Sequence, residues 1–193
     1  MSMKYFLIVL GAIVLWAVYA FNSFVSLRNR AKEAWADIEV QLKRRYDLIP
    51  NLVNTIKGST AFEQNTLTKV VEARAKATSI QVDPSKVTPE MMQKLASSQT
   101  ELSTALGRLM VVSEQYPQLK SNENFLALQS ELSDTENKIQ AARRFYNGNV
   151  RDLNIKIESF PGNVIAGTFH FSKMEFYDLP DNDAAQNPVE VKF

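Results

Sequence analysis

Hydrophobic positions along this chain follow two different rules. From Tyr5 to Phe21 the sequence YFLIVLGAIVLWAVYAF is apolar and uncharged, and the run continues through Asn22 and Ser23 to Val25. As a helix rising 1.5 Å per residue, 5–25 covers about 31 Å, the thickness of a bilayer core. Aromatic residues stand near both ends, where interface anchors belong: Tyr5 and Phe6 at one, Tyr19, Phe21 and Phe24 at the other. A cleaved signal peptide is the rival reading, with Lys4 as its charged start and Val18-Tyr19-Ala20 at the cleavage positions. An apolar stretch longer than the usual ~7–15 residues favours a retained transmembrane helix.

After residue 25 the rule becomes helical periodicity. Ala31, Trp35, Ile38, Leu42, Arg45, Ile49, Leu52 and Ile56 recur at alternating steps of four and three, the seam of a helix packed against another. Arg45 falls on that apolar seam, where either its stem snorkels toward water or its guanidinium pairs with a carboxylate of a facing helix and fixes the register. Pro50 lacks an amide donor, which predicts a kink near Tyr46 with Asp47 or Asn51 engaging the freed backbone groups. A thinner stripe follows in Leu67, Val70, Val71, Ala73, Ala75 and Ala77. Thr88-Pro89-Glu90 has the form of a helix start, with Thr88 as N-cap and proline at the first position. Leu95, Leu102, Leu106, Leu109 and Tyr116 make the next stripe, which Tyr116-Pro117 ends. A further helix opens at Ser121 or Asn122 and carries its stripe from Phe125 to Phe160, just before Pro161-Gly162.

The helical segments 26–79, 89–116 and 122–160 come to about 80, 42 and 58 Å, so they cannot match end to end. Either the first folds back near Gly58-Ser59-Thr60, giving an up-and-down four-helix arrangement, or it stays one long helix whose stripe needs a partner from another chain. Gly167 to Ser172 and Pro188 to Phe193 alternate apolar with polar side chains and look strand-like. The expected architecture is therefore all-α: a flank (1–4), a transmembrane helix (5–25), an antiparallel up-and-down bundle of three to four helices (26–160), and a short extended tail (161–193) lying on the bundle or on a neighbouring protomer. Trp35, Ile38, Leu42, Phe169, Phe171, Val189, Val191 and Phe193 are the candidate self-association surface.

Composition narrows the function classes. Twenty-two Lys and Arg against 21 Asp and Glu leave a net charge of +1, without the basic footprint of a nucleic-acid binder. With no cysteine there are no disulfides, thiolate nucleophiles or thiolate metal sites. Gly-rich phosphate loops, H-E-x-x-H and G-x-S-x-G are missing from the sequence. The lone histidine, His170, lies between two phenylalanines and reads as a strand residue. Glu114, Glu131, Asp134 and Glu136 read as a solvated helix face, because helical di-iron sites need Glu-x-x-His pairs. No cofactor, metal or catalytic residue is expected. Lys4 precedes the apolar run while Arg28, Arg30 and Lys32 follow it, which puts the bundle on the cytoplasmic side, with Tyr5, Tyr19, Arg28 and Arg30 as interface anchors.

Three stretches carry a family resemblance: RNRAKEAWADIEVQLKRRYDLIPNLVNTIKG, LSTALGRLMVVSEQYPQLKSNENFLALQSELSDTENKIQAARRFYNGNV and NIKIESFPGNVIAG. Together they resemble the bacterial LemA family, with a departure at KGSTAFEQ, where Ser59 and Phe62 replace a common tyrosine and histidine. The resemblance implies a single-pass protein of the bacterial inner membrane, with a long antiparallel helical bundle and no established catalytic activity. Arg45, Asp47, Asn51, Asn54, Arg74, Asn137, Arg143, Tyr146 and Asn147 are the candidate polar network, and those beside apolar stripes suit buried hydrogen bonds that specify register. The expected function is a membrane-anchored scaffold that self-associates. The alternative is a monomeric adaptor or regulator of another membrane protein. Partners are then the lipid bilayer, further copies of the chain and, for the adaptor alternative, another membrane protein, with no nucleic acid.

Overall fold

Residues 3–58 and 63–177 are described by a computed structural model. They form six helices and no strand: α1 (Met3–Lys57), α2 (Gln64–Thr78), α3 (Pro89–Ser113), α4 (Pro117–Lys120), α5 (Glu123–Glu158) and α6 (Gly162–Thr168). Helix starts are set by local chemistry. The Thr88 hydroxyl accepts from the Met91 amide at 3.3 Å with Pro89 at the first position, and the Asn122 side chain accepts from the Phe125 amide at 3.1 Å. In the turn before α3, Asp83 accepts from the Ser85 amide at 2.9 Å, which lowers its pKa.

Helix α1 is one continuous 55-residue element that joins the apolar run to the periodic seam without a break. All eight seam positions from Ala31 to Ile56 are buried. Their cover comes from the same chain. Helix α2 reverses direction after Lys57 and packs back along α1, as the contact between Tyr46 and Ala77 shows. Helix α3 then runs away from the apolar end and α5 returns toward it. Ile49, Leu52, Val53 and Ile56 meet Leu67 and Val70 of α2, Leu102, Leu106 and Leu109 of α3, and Phe125 and Leu132 of α5 in one core. This far half of the molecule is an up-down-up-down four-helix bundle.

The near half is built differently. Between residues 20 and 42, α1 pairs mainly with Tyr146, Val150 and Leu153 of α5, and helix α3 reaches only its upper edge with Met92, Leu95 and Ala96. The missing wall is supplied by α6 and by residues 169–177, an irregular strap that buries Met174 and Tyr177. This corrects the strand expected over 167–172: Gly167 and Thr168 end α6, Phe169 and His170 form a turn with His170 at φ 56°, and only then does irregular chain follow, without a ladder. Phe160 also departs from its expected place on the α5 stripe, because α5 ends at Glu158 and leaves the ring 82% exposed. At the turn into α6, a Cβ added to Gly162 would meet the Lys156 carbonyl oxygen at 2.6 Å, so the close approach of α6 to α5 requires glycine there.

Candidate functional site

Two polar constellations organise the bundle. The first surrounds Arg45, whose guanidinium is 1% exposed at the boundary between the two cores. Its Nη1 donates to Glu136 Oε2 on α5 at 2.6 Å and to Ser103 Oγ on α3 at 3.0 Å, while Nη2 donates to the Gln99 side-chain oxygen. Gln99 in turn donates to the Tyr46 hydroxyl, which reaches the Ala77 carbonyl on α2 at 3.4 Å. One arginine and its neighbour thus fix the relative height of α1, α2, α3 and α5. Of the two fates open to Arg45 the structure shows pairing with a carboxylate, Glu136, a residue that the sequence places on a solvated face. Its neighbours Glu131 and Asp134 do face solvent and lie 3.8 and 3.6 Å from Arg44. Burial raises the Tyr46 pKa, opposed by the Gln99 bond and by Arg45, so the phenol stays protonated at neutral pH and can donate to Ala77.

Pro50 explains the next residue. Without an N–H at position 50, the carbonyl of Tyr46 has no helical partner, and a half-buried carbonyl left without one is costly. Arg74 of α2 supplies the donor, its Nε standing 2.8 Å from the Tyr46 oxygen. The sequence had assigned this task to Asp47 or Asn51, yet both are exposed, as are Asn54 and Asn137, and these four are not in the buried network. Arg74→Ala is expected to destabilise by about 1.5–3 kcal/mol, the range for a charge-assisted bond. In a Pro50→Ala background, where residue 50 regains its amide, the same change should cost much less. Equal costs in the two backgrounds, measured by denaturant titration in detergent, would refute the assignment.

The second constellation binds the strap. Asn147 Nδ2 donates to the Tyr177 carbonyl at 3.0 Å while its Oδ1 accepts from the Tyr177 amide at 2.8 Å. Asn154 repeats the pattern with Met174, at 2.9 and 3.0 Å. The repeat is geometric: seven residues of helix and three of extended chain both advance about 10 Å. Two asparagines therefore hydrogen-bond the strap as a neighbouring strand would. Tyr146 donates to the Glu175 carbonyl at 2.8 Å, and the Arg143 guanidinium lies 4.3 Å from the centre of the Tyr177 ring. Trp35 packs against Tyr146 and Tyr177, with ring centres 5.2 and 6.0 Å away. Burial pushes the Tyr177 pKa up to about 12, partly offset by Arg143, and raises that of Tyr146 further. Both phenols are protonated across the physiological range; Tyr146 serves as a donor, while the Tyr177 hydroxyl is buried without a hydrogen-bond partner among the described residues.

Ile38 and Leu42, like Trp35, lie inside this intramolecular core, so the three cannot serve as a surface for a second copy. Phe171 is half buried, stacked on Phe24 at 5.0 Å, whereas Phe169 is 53% exposed. Val189, Val191 and Phe193 lie outside the described residues, as do Ser59 and Phe62. Tyr5 and Tyr19 project from the apolar part of α1, and Arg28 and Arg30 are exposed one to two turns beyond it. Gln99, Ser103, Glu136, Asn154 and Tyr177 are network members that periodicity did not single out. The Asn147–Asn154 spacing beside the Tyr146–Val150–Leu153 stripe was the available clue. Among the described residues no group of three or more His, Cys, Asp or Glu side chains could hold a metal ion. An open groove of about 580 Å³ runs between α2 and α3, floored by Ala73 and Ala105 and edged by Lys69, Glu72, Glu101 and Arg108.

The arrangement is one of locks between helices. A family model described as LemA family matches residues 34–193, all but the first turns of the bundle. The chain belongs to the LemA family. Protein LemA of Metamycoplasma hominis is 27% identical to it over 91% of this chain and 74% of its own length. Magnetosome protein MamQ of Magnetospirillum gryphiswaldense is 25% identical over 90% of this chain and 71% of its own. Magnetosome protein MamQ 2 of Paramagnetospirillum magneticum is 25% identical over 88% and 68%. The LemA match begins at Ala34, one position before the Trp35 that the strap covers. In this LemA-family chain the matched region therefore contains both constellations, and the apolar part of α1 precedes it.

Proposed function

We propose that this chain is a membrane-anchored helical scaffold of the bacterial inner membrane that organises membrane or membrane-protein assemblies and performs no catalysis. The observation that carries the reading is the continuity of α1: one helix is exposed and apolar over its first five turns, then becomes the buried spine of the bundle. Such a spine holds the bundle rigidly above the bilayer, on the cytoplasmic side by the Lys and Arg count. The locks at Arg45 and along the strap keep its surface in one shape, the property a platform needs. The names of the MamQ relatives place those proteins at magnetosomes, a setting in keeping with membrane organisation.

A second reading, a monomeric adaptor for another membrane protein, is favoured by the burial of Trp35, Ile38 and Leu42 within one chain. Native mass spectrometry of the full-length protein, released from detergent or nanodiscs, separates the two. A defined oligomer is the outcome expected for a self-associating scaffold. A monomer at all loadings would remove self-association and leave the adaptor.

A further inference from the structure

The base of the bundle carries an apolar patch that no other part of the described chain covers. Phe160, Val164 and Phe169, around the α5–α6 turn, are 82%, 57% and 53% exposed. They belong to the end of the molecule from which the apolar part of α1 emerges. The Phe169 ring stands edge-on to Phe21 at 4.8 Å, and Ile165 and Ala166 pack in one core with Ala20 and Phe24. Helix α6 thus occupies the depth of the last turn of the apolar run.

Charged residues mark where water begins. Lys156 donates to the Ser23 hydroxyl and holds its ammonium 5.2 Å from the centre of the Phe24 ring, and Arg28 stands 5.3 Å from that of Phe171. From Tyr5, the first residue past Lys4, to Phe24 a helix rises about 29 Å, close to the full hydrocarbon thickness. The level of Ser23 to Arg28 is then the headgroup layer, and Phe169, beside Phe21, lies deeper than both cations. If only α1 entered the membrane, Phe21 would have to stand clear of it, and the apolar helix surface left for lipid would be about one turn too short.

We propose that the α5–α6 turn and α6 form an interfacial wedge, with Phe160, Val164 and Phe169 inserted into the same bilayer leaflet that α1 leaves. This rests on α1 spanning the membrane. Lipid is the occupant because the patch is continuous with the lipid-facing surface of α1 and is rimmed by Arg28 and Lys156, which suit anionic headgroups. The wedge gives the protein a second attachment point. Its consequence is mechanical: the bundle is fixed in tilt and height rather than swivelling on a single helix.

The chain has no cysteine, so single cysteines can be labelled cleanly in the full-length protein. We would place an environment-sensitive fluorophore at Phe160→Cys, Val164→Cys and Phe169→Cys, with Ile13→Cys in the span and Val111→Cys on α3 as references. The vesicles contain phosphatidylcholine and phosphatidylglycerol, with or without acyl-chain-brominated lipid. The expected result is a blue-shifted emission that brominated lipid quenches at 160, 164 and 169 as at 13, and no quenching at 111. Quenching at 13 with water-like emission at the three base positions would overturn the wedge while leaving the anchor intact. A blue shift there without quenching would mean that protein covers the patch and would also overturn it. Loss of quenching at 13 would defeat the anchor, and the wedge with it. Phe169 contacts Phe21, so the outward-facing labels at 160 and 164 decide the matter if the third variant melts early.

Discussion

Glu136→Ala is expected to destabilise the folded protein by about 3 kcal/mol, the lower end of the range for stranding a buried charge. The reason lies with its partner. Arg45 is 1% exposed, so its guanidinium cannot recover hydration when the carboxylate 2.6 Å away is removed. Gln99 and Ser103 still accept from it, and Glu136 is itself one-third exposed, which keeps the penalty from reaching the upper end near 5 kcal/mol. Arg45→Met changes the comparison, because an unbranched apolar side chain fills much of the same seam without a charge to satisfy. In that background Glu136→Ala should cost well under 1 kcal/mol, as an exposed surface substitution does. A double-mutant cycle by chemical denaturation of the full-length protein in detergent measures the difference directly. Additive costs would mean that Glu136 does not serve Arg45, and the idea that this pair sets the helix register would fall.

Arg45 also shows where sequence reasoning succeeds and where it stops. Its place on a seam of alternating fours and threes puts it at the helix interface and offers two fates, a stem that snorkels to water or a carboxylate across the interface, between which periodicity does not choose. The eight-position stripe from Ala31 to Ile56 is buried throughout because helical periodicity reports on one face regardless of what covers that face. Identifying the cover is a different problem. Nothing local distinguishes Glu136 from Glu131 or Asp134, since that choice depends on the rotation of α5 against α1. The same limit applies to Pro50. Its missing amide predicts an orphaned carbonyl at Tyr46, but the donor is Arg74, which arrives through the reversal between α1 and α2. Periodicity misjudged Phe169 and Phe171 for a more specific reason. Gly167 and Thr168 close α6, the Phe169 and Phe171 amides donate back to the Ile165 and Ala166 carbonyls, and His170 turns the chain at φ 56°, so short alternation is not diagnostic of a strand.

Removal of both asparagines, as Asn147→Ala with Asn154→Ala, is expected to release the strap and open the near half of the core. Four hydrogen bonds at about 0.5–1.5 kcal/mol each would be lost, and the Met174 and Tyr177 amides would be left without their partners. If the strap detaches, the burial of Met174 and Tyr177 is forfeited too, at about 1.5–3 kcal/mol for each large apolar side chain. Trp35, Tyr146 and Val150 would then be exposed along one side of α1 and α5, while the far half, with its separate core, retains its four helices. A cysteine at Met174 should react slowly with a maleimide in the otherwise cysteine-free chain and rapidly in the double variant, with helical content nearly unchanged by circular dichroism. Alkaline pH should have the same effect through Tyr177. Its pKa is raised to about 12 in the folded state, against about 10 for an unperturbed tyrosine, so the folded form binds the proton more tightly. The stability it contributes is fully present below pH about 10 and is lost as pH rises toward 12. Tyr177→Phe removes that titration while keeping the ring over Arg143, and the alkaline release should then weaken. Equal reactivity at position 174 with and without the asparagines would show that packing alone holds the strap, and that the paired asparagines are incidental to it.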